Sequence, residues 1–441
     1  MRKLICCLLA LGLLALGGCA QSAPDAAETL SPTAEATSAP TPQPTPVPTP
    51  EPTPEPTSAP TPEPTSAPTP EPTSAPEARR LELRLSAARP ITALLDGKAD
   101  NAYRINAGET LTLTAGEEIG GISLVWYETP PLWTLEGGGE SLLCGEDGFL
   151  HEYVALPAPA RELVIRAPET DSLCLSGIAA YSVGTLPEDV QVWQRPCEKA
   201  DILIVAAHAD DEFVFFGGII PLYAAERGLR VQMAYMISHY NSLRVRCHEM
   251  LDALWLAGLR CYPVVNDAPD REIYSLGDAE WIYGEDGFVE AQVELIRRFR
   301  PLVVVTHDEK GEYRQGVHML TAKCMEKAVE LAADPDFMPE SAEKYGVWDV
   351  PKTYLHLYGP EDGRTVLDFE TPLAAFGGKT AFDVAGEAFA LHVSQKSLHF
   401  RVYESGHAYD CHSYGLFRSL VGPDTERNDL MENLDDAAGR D

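Results

Sequence analysis

Positive charge is in short supply in this 441-residue chain. Its 34 Lys and Arg are outnumbered by 67 Asp and Glu, which leaves a formal net charge of −33. This balance disfavours nucleic acid and anionic lipid headgroups as partners, and it weakly favours neutral or cationic substrates. We therefore expect no nucleic acid among the partners of this protein.

The chain also lacks the cysteine spacing of a structural zinc site. No Cys-x-x-Cys pair occurs among its ten cysteines, which excludes the usual pattern. Seven of them follow Cys19, an odd number, so at least one thiol stays free. Most are expected to be small buried apolar residues. The seven are Cys144, Cys174, Cys197, Cys247, Cys261, Cys324 and Cys411.

The apolar run at the start of the chain is too short for a permanent membrane-spanning helix. Arg2 and Lys3 precede apolar residues 4–16, which is the form of a signal peptide. The run ends in Leu16-Gly17-Gly18-Cys19, which resembles the lipobox of bacterial lipoproteins. That resemblance implies cleavage before Cys19 and a diacylglyceryl group on its sulfur; an ordinary secretory signal with a chance cysteine is the alternative. We predict a lipoprotein signal peptide in residues 1–19 and an extracytoplasmic protein anchored to the membrane at Cys19.

Residues 20–79 are predicted to be a disordered linker. Pro-Thr-Pro-Glu-Pro and Pro-Thr-Ser-Ala-Pro units repeat up to residue 76, and such a segment has almost no apolar surface to offset its ordering entropy. Proline favours an extended chain, which reaches up to roughly 180 Å at about 3.1 Å per residue. The segment is expected to act as a stalk.

Residues 80–190 show the alternation of apolar and polar residues that is typical of half-buried strands. The pattern predicts an antiparallel β-sandwich. Leu95-Asp96-Gly97 followed by Gly120-Gly121-Ile122-Ser123-Leu124-Val125-Trp126 is similar to the galactose-binding, discoidin-like sandwiches. Three aromatic residues could either stack on a sugar or belong to the core: Trp126, Tyr127 and Trp133.

Residues 198–441 alternate strands with helices. This order predicts a Rossmann-like α/β domain, with a parallel sheet and helices on both faces. The predicted strands are 202–207, 230–237, 260–265, 302–306 and 353–358, and the predicted helices are 216–227, 243–257, 288–299 and 316–333.

Two clusters of polar residues follow apolar strands of this domain. His208, Asp210 and Asp211 come directly after the first strand, and the segment 306–318 begins at the end of another. Ligands of open α/β sheets bind beyond the carboxyl ends of the strands, so both clusters are expected at one edge.

A metal ion would unite the two clusters. His208 and Asp211 are three residues apart across a tight turn, and His318 can turn back from the start of a helix as a third ligand. Three protein ligands with a water in the fourth position are typical of a catalytic zinc site. Asp210 is then free to accept a proton from a metal-bound water. A single histidine at a strand end is more often structural, but two clusters at one edge favour a metal-dependent hydrolase.

The clusters resemble the motifs of the PIG-L/LmbE-like N-acetylglucosaminyl de-N-acetylases. Ala207-His208-Ala209-Asp210-Asp211-Glu212 is similar to the (P/A)HPDDE motif, and Gly217-Gly218 matches the glycine pair that follows it. Arg246-x-x-Glu249 is similar to the RxxE helix of the family. Thr306-His307-Asp308 through Gly311-Glu312-Tyr313 to His318 resembles the THDxxGEYGHxxH segment.

This resemblance implies roles for individual residues. It implies Zn²⁺, or another divalent metal, held by His208, Asp211 and His318, with Asp210 as the general base. Tyr313 matches a tyrosine that stabilises the oxyanion or donates a proton.

Two further residues are candidates for substrate binding. Arg246 matches a substrate-side arginine, although an ion pair with Glu249 on the helix surface is the alternative. Asp270 follows a strand at the same edge as the metal ligands, so it could bind sugar hydroxyls or simply form a turn.

The sequence departs from the family pattern at two positions. Ala209 stands where the family has proline, with little expected effect. Gln315 stands at the position of a histidine credited with electrostatic support or proton transfer to the leaving amine, and a glutamine cannot carry a proton. His307 or Tyr313 could substitute for that histidine, or the activity could be altered.

The expected function is zinc-dependent deacetylation of an N-acetylglucosamine-type amino sugar or glycan at the cell surface. The alternative is a non-catalytic, glycan-binding surface lipoprotein with a degenerate deacetylase domain. A different metal-dependent amidase on the same scaffold is a third possibility, because a fold does not determine a substrate.

Overall fold

The computed structural model describes residues 76–434 of the chain. The predicted signal peptide, the lipidation site Cys19 and almost all of the predicted linker lie outside these residues. Within the described residues, no helix combines the length and the apolar character needed to cross a membrane.

The first region of the fold is an antiparallel β-sheet. Its strands are β1 Leu83–Ala87, β2 Tyr103–Ile105, β3 Thr110–Trp126, β4 Trp133–Gly137, β5 Glu140–Cys144, β6 His151–Arg166 and β7 Leu173–Ser182. They connect in the order β2-β7-β3-β6-β4-β5, with β1 on β3. The two halves of the long strand β3 have different neighbours, β1 on one half and β7 on the other. The strands thus form one connected sheet, and a sandwich of two separate sheets stays a prediction.

The aromatic residues of this region belong mainly to its core. Trp126 and Trp133 are buried, and both indole N–H groups donate to Glu152 Oε2, at 2.8 and 3.2 Å. The two tryptophans are therefore not available as a sugar-stacking platform. Tyr127 is half-buried, and the Arg244 guanidinium lies 4.5 Å from its ring centroid.

The second region is an α/β domain built on a mixed sheet. Its strands are β8 Ile202–Ala206, β9 Val231–Ser238, β10 Val264–Pro269, β11 Val303–Thr306, β12 Lys352–His356, β13 Thr365–Val366 and β14 Ser413–Ser419. The order is β10-β9-β8-β11-β12-β14-β13. The first five strands in this order are parallel, as predicted, whereas β14 and β13 add an antiparallel edge that the sequence did not indicate.

Helices cover both faces of this sheet. They are α1 Asp211–Val214, α2 Val245–Leu256, α3 Leu276–Tyr283, α4 Glu285–Phe299, α5 Gly316–Leu331, α6 Pro339–Tyr345 and α7 Ala381–Phe389. Alternate residues of β8 point to two separate cores. Ile202 and Ile204 lie in a core shared with α2, α7 and the β region, whereas Leu203 belongs to a core shared with α4 and α5. The predicted two-sided arrangement is therefore present.

The segment after β8 differs from the predicted helix 216–227. The short helix α1 ends before it, and a π-helical segment spans Ile220–Glu226. Gly217 has a φ of +49° and so interrupts the helix. A Cβ at Gly218 would lie 2.6 Å from Ala381 Cβ, so this glycine allows close packing against α7. The glycine pair therefore bends the chain where a continuous helix was expected.

The β region packs against the loop between β9 and α2. The Thr129 N–H donates to Tyr240 Oη at 3.0 Å. The Arg244 guanidinium lies between two tyrosine rings, 4.5 Å from Tyr127 and 4.3 Å from Tyr240. Both regions belong to one compact unit, and these contacts hold a loop that begins at the carboxyl edge of the sheet.

Candidate metal centre

The first cluster lies in a tight turn between β8 and α1. Two hydrogen bonds shape it: the His208 N–H donates to Asp211 Oδ2 at 2.7 Å, and the Asp210 N–H donates to Glu212 Oε2 at 2.7 Å. Asp210 has a φ of +118°, which is rare for a residue other than glycine. This backbone directs Asp210 and Asp211 to different surroundings although they are neighbours in sequence.

Three predicted metal ligands converge at this turn. His208 Nδ1 lies 3.3 Å from His318 Nε2 and 3.5 Å from Asp211 Oδ2, and His318 Nε2 lies 3.3 Å from Asp211 Oδ1. Ligand atoms about 2.0–2.1 Å from a tetrahedral zinc ion lie roughly 3.4 Å from one another, so the spacing fits such an ion. Two imidazole nitrogens and a carboxylate also suit zinc chemically. Burial lowers the pKa of His208, which favours the neutral ring that a metal requires. Burial also lowers the pKa of His318, but Asp211 and Glu312 outweigh burial and raise it to about 10, so a metal ion would have to displace a proton from that ring.

His318 reaches this position because helix α5 starts beside the end of β11. Gln315 precedes the helix, and its Oε1 accepts from the N–H groups of Val317 and His318, at 2.5 and 3.1 Å. Its Nε2 lies 3.5 Å from His208 Nε2. Gln315 therefore caps the helix that carries one ligand and also contacts the other histidine.

A second potential ligand set lies deeper. His307, Glu312 and His318 also bring ligand atoms close together, and all three are buried. Glu312 Oε2 lies 2.9 Å from His307 Nδ1 and 2.7 Å from His318 Nδ1. His318 therefore belongs to both sets, through a different nitrogen in each.

Asp210 faces Arg246 rather than the three ligand atoms. Its Oδ2 lies 3.4 Å from Arg246 Nη2. Burial raises the pKa of Asp210 to about 7, although Arg246 opposes the shift. Arg246 is itself buried, and its Nη2 donates to the carbonyl oxygen of Ala209. The alternative of a surface ion pair with Glu249 is wrong, because Glu249 instead accepts from the Ser394 N–H and hydroxyl.

Asp270 is part of the same cluster and not a simple turn residue. Its Oδ2 accepts from His239 Nδ1 at 3.1 Å and lies 3.9 Å from Arg246 Nη1. Its Oδ1 lies 4.0 Å from His208 Nε2. Burial raises the pKa of Asp270, but the hydrogen bond from His239 and the nearby Arg246 guanidinium outweigh burial and lower it to about 2.

His239 forms hydrogen bonds with both Asp270 and Ala209, the residue that replaces the proline of the family motif. The Ala209 N–H donates to His239 Nε2 at 3.3 Å, so Nδ1 of that ring carries the proton donated to Asp270. Sequence reasoning missed His239, although it directly follows β9 and so lies at the same edge of the sheet as the ligands.

An open cavity of about 540 Å³ leads to the cluster. Of the residues predicted from the sequence, it is lined by His208, Asp210, Arg246, Asp270, Tyr313 and Gln315. Asp211 and His318 lie behind this lining. The Tyr313 ring lies 5.5 Å from the His318 ring, and burial raises the pKa of Tyr313, so its hydroxyl keeps its proton. His307 does not line the cavity.

Several buried partners of the site were not predicted from the sequence. Glu212 Oε1 accepts from His392 Nε2 at 3.0 Å, and Glu312 Oε1 accepts from His356 Nδ1 at 2.7 Å. Glu212 and Glu312 both lie inside the quoted motifs, which was the available signal. The two histidines come from distant segments whose position depends on the fold.

A mostly parallel α/β sheet with two histidines and an aspartate at its carboxyl edge, beside a further buried carboxylate, is typical of a metal-dependent hydrolase domain. Residues 203–329 match the PIG-L family model, which is described as GlcNAc-PI de-N-acetylase. This segment is therefore a PIG-L family domain, and the resemblance seen in the motifs is confirmed for it.

Curated relatives carry deacetylase names. A 1D-myo-inositol 2-acetamido-2-deoxy-alpha-D-glucopyranoside deacetylase 1 of Catenulispora acidiphila is 29% identical over 192 residues, which are 36% of this chain and 56% of that protein. A deacetylase of the same description from Geodermatophilus obscurus is 27% identical over 178 residues, covering 35% of this chain and 60% of that protein. The chain therefore spans less than two thirds of the length of these relatives.

Among solved structures, the chain is similar to N,N'-diacetylchitobiose deacetylase from Pyrococcus horikoshii. It matches with a TM-score of 0.36 and 15% sequence identity, over 51% of this chain and 86% of that one. The lipobox-like motif and the likeness of residues 80–190 to galactose-binding sandwiches stay predictions.

Proposed function

We propose that this protein is a zinc-dependent de-N-acetylase that hydrolyses the acetamide of an N-acetylglucosamine-type amino sugar or glycan. The observation that carries the proposal is the convergence of His208, Asp211 and His318 within 3.5 Å, with Asp210 beside them at the end of an open cavity. The PIG-L match over residues 203–329 supports the reaction class.

His208, Asp211 and His318 would hold the ion, and a bound zinc supplies a Lewis acid that polarises the amide carbonyl and makes water a better nucleophile. Asp210 would accept the proton that the water loses. A general base works best when its pKa lies near the working pH. Burial raises the pKa of Asp210 to about 7 in the metal-free protein, and a bound zinc ion would lower it again.

Asp210 would also return this proton to the leaving amine. That second transfer balances the reaction without the histidine that the family has at position 315, because Gln315 offers only a hydrogen bond. Tyr313 lines the cavity and keeps its hydroxyl proton, so it would donate a hydrogen bond to the developing oxyanion. Arg246 would keep Asp210 oriented, at 3.4 Å from its carboxylate.

The cellular setting is part of the proposal. The lipobox-like residues before Cys19 support a membrane-anchored lipoprotein outside the cytoplasm, and the Pro/Thr-rich repeats support a stalk between anchor and enzyme. The partners would be an N-acetylated amino sugar or glycan and, through Cys19, the membrane.

The test is acetate release from a panel of N-acetylated substrates by the purified, zinc-loaded protein. N-acetylglucosamine, N,N'-diacetylchitobiose and an N-acetylglucosaminyl inositol would represent different sizes. Asp210→Asn is expected to lower kcat by about 10²–10⁴-fold, the usual contribution of a general base. Asp336→Asn, at an exposed carboxylate, is the matched control and should leave kcat unchanged. If the zinc-loaded protein releases no acetate from any of these acetamides, the catalytic assignment fails.

Gln315 favours one alternative, a glycan-binding protein that performs no chemistry. Its side chain caps α5 and contacts His208, but it cannot carry a proton. Glycan binding without turnover by the natural chain, together with turnover by Gln315→His, would support this alternative.

A further inference from the structure

A buried carboxylate lies beneath the candidate metal centre and contacts three histidines. The Glu312 side chain is fully buried. Its Oε2 faces the Nδ1 atoms of His307 and His318, at 2.9 and 2.7 Å. Its Oε1 faces His356 Nδ1 at 2.7 Å and accepts from the Asp308 N–H at 3.1 Å. Three imidazole rings therefore take their orientation from one carboxylate.

The tautomer of His307 follows from its other nitrogen. The Ala207 N–H donates to His307 Nε2 at 2.8 Å, so this nitrogen bears a lone pair and no proton. The proton of the ring is therefore on Nδ1, where it is donated to Glu312. Asp211 Oδ2 lies 3.4 Å from the same Nε2, farther away than the amide nitrogen of Ala207, and a proton on Nε2 would point at the hydrogen of that amide.

This arrangement decides between the two possible ligand sets. Both nitrogens of His307 are already committed, one to a backbone amide and the other to Glu312, so His307 has no lone pair left for a metal ion. The candidate ligands that remain for a metal ion are therefore His208, Asp211 and His318.

The same carboxylate acts on His318. An ionised carboxylate only accepts hydrogen bonds, so His318 Nδ1 carries a proton. Nε2 then becomes the nitrogen that can bind a metal, and it is this atom that lies 3.3 Å from both Asp211 Oδ1 and His208 Nδ1.

His356 supplies a positive charge beside the Glu312 carboxylate. Its Nδ1 faces Glu312 Oε1 at 2.7 Å and its Nε2 faces the carbonyl oxygen of Asp410 at 2.8 Å. Both partners are acceptors, so the ring satisfies them only with a proton on each nitrogen. The geometry therefore pairs a protonated His356 with the ionised Glu312, which offsets part of the cost of burying that carboxylate. His356 lies on β12, outside the segment that matches the family model.

We propose that Glu312 is a positioning residue which, with His356 as its counter-ion, fixes His318 as an Nε2 metal ligand and keeps His307 out of the ligand set. This inference rests on the metal centre of the proposed function. It adds that His356, at the end of β12, stabilises the carboxylate that orients the ligand His318.

The first test uses the natural chain and requires no substitution. Long-range ¹H–¹⁵N spectra of the assigned histidine rings report which nitrogen carries a proton or a metal. In the zinc-loaded protein, His318 is expected to be protonated at Nδ1 and metal-bound at Nε2, whereas His307 keeps a bare Nε2 with or without zinc. Zinc on Nδ1 of His318, or a proton on Nε2 of His307, would overturn the proposal.

The second test measures zinc affinity by competition with a chromophoric chelator, with the metal alone and no substrate. Glu312→Gln is expected to weaken zinc binding by about 10–100-fold, the usual effect of losing an outer-shell partner. Glu309→Gln removes the same charge from an exposed position three residues away and should bind zinc like the natural chain. Unfolding of the metal-free variants shows that each is folded.

An unchanged affinity in folded Glu312→Gln would contradict the proposal. If Glu312→Gln does not fold, the ring spectra of the natural chain still decide. If the spectra are as expected but no substrate releases acetate, the proposed function fails and this inference stands.

Discussion

In the metal-free protein, Asp210→Asn is expected to increase stability although it removes the proposed base. Burial raises the pKa of this carboxyl from 3.8 to about 7, Arg246 opposes the shift, and Asp211 adds to it. The folded state therefore holds the proton more tightly than the unfolded state does. The stability contributed by the protonated form is complete below about pH 4 and is lost as the pH rises through about 7. About 3 pKa units at roughly 1.36 kcal/mol each give a loss of at most about 4 kcal/mol.

Asparagine is the appropriate replacement because it carries no charge and tolerates a positive φ better than most residues do. Urea unfolding of EDTA-treated natural chain and Asp210→Asn, between pH 4 and pH 8.5, would measure the difference in the free energy of unfolding. The difference is expected to be small at pH 4 and to grow towards about 4 kcal/mol at pH 8.5. Asp336→Asn, at an exposed carboxylate, should run parallel to the natural chain. Parallel curves for Asp210→Asn as well would refute the reasoning.

Three further predictions concern the scaffold, each measured by urea unfolding. The buried guanidinium of Arg297 lies within hydrogen-bond distance of five backbone carbonyls at and after the end of α5, three of which share the two hydrogens of Nη2. Arg297→Lys, which cannot reproduce that planar set, is expected to cost roughly 3 kcal/mol, whereas exposed Arg298→Lys should cost less than about 0.5 kcal/mol. Burial raises the pKa of Asp410, but hydrogen bonds from neighbouring side chains and backbone amides lower it to about 2. Asp410→Asn should therefore remove up to about 2 kcal/mol above pH 4, and its deficit should shrink as the pH falls from about 4 to 2; a constant deficit would contradict the assignment. A methyl group at Gly218 would meet a neighbouring Cβ at 2.6 Å, so Gly218→Ala is expected to cost about 1–3 kcal/mol, whereas Gly386→Ala, in open space on α7, should be neutral or stabilising.

The convergence of the three candidate ligands could be predicted because it follows from local rules. Strands β8 and β11 are adjacent and parallel, with Ile202 opposite Val303, so their carboxyl ends meet at one edge of the sheet. A residue that directly follows either strand must lie at this edge. The position of His318 depended in addition on a predicted helix start at residue 316. The helix α5 does begin there, because Gln315 caps it.

The supporting residues could not be predicted in this way. His356 ends β12, which was predicted as a strand, but the strand pattern could not show that its ring turns to Glu312. His392 follows α7 in a long connection between β13 and β14, and nothing in its spacing indicates that it contacts Glu212. Arg246 was open to two interpretations because spacing alone cannot show which face of α2 is covered. The fold buries that face under the turn after β8, and Glu249 turns to Ser394 instead.

The hydrogen bond from Ala209 to His239 links the effects of substitutions at these two positions. Proline, which the family pattern has at position 209, possesses no N–H. It would leave His239 Nε2 without its donor. The proton of the ring would then no longer be confined to Nδ1, where it is donated to Asp270. The two positions are therefore expected to be coupled, so that Ala209→Pro should cost less stability in a chain whose His239 has been replaced.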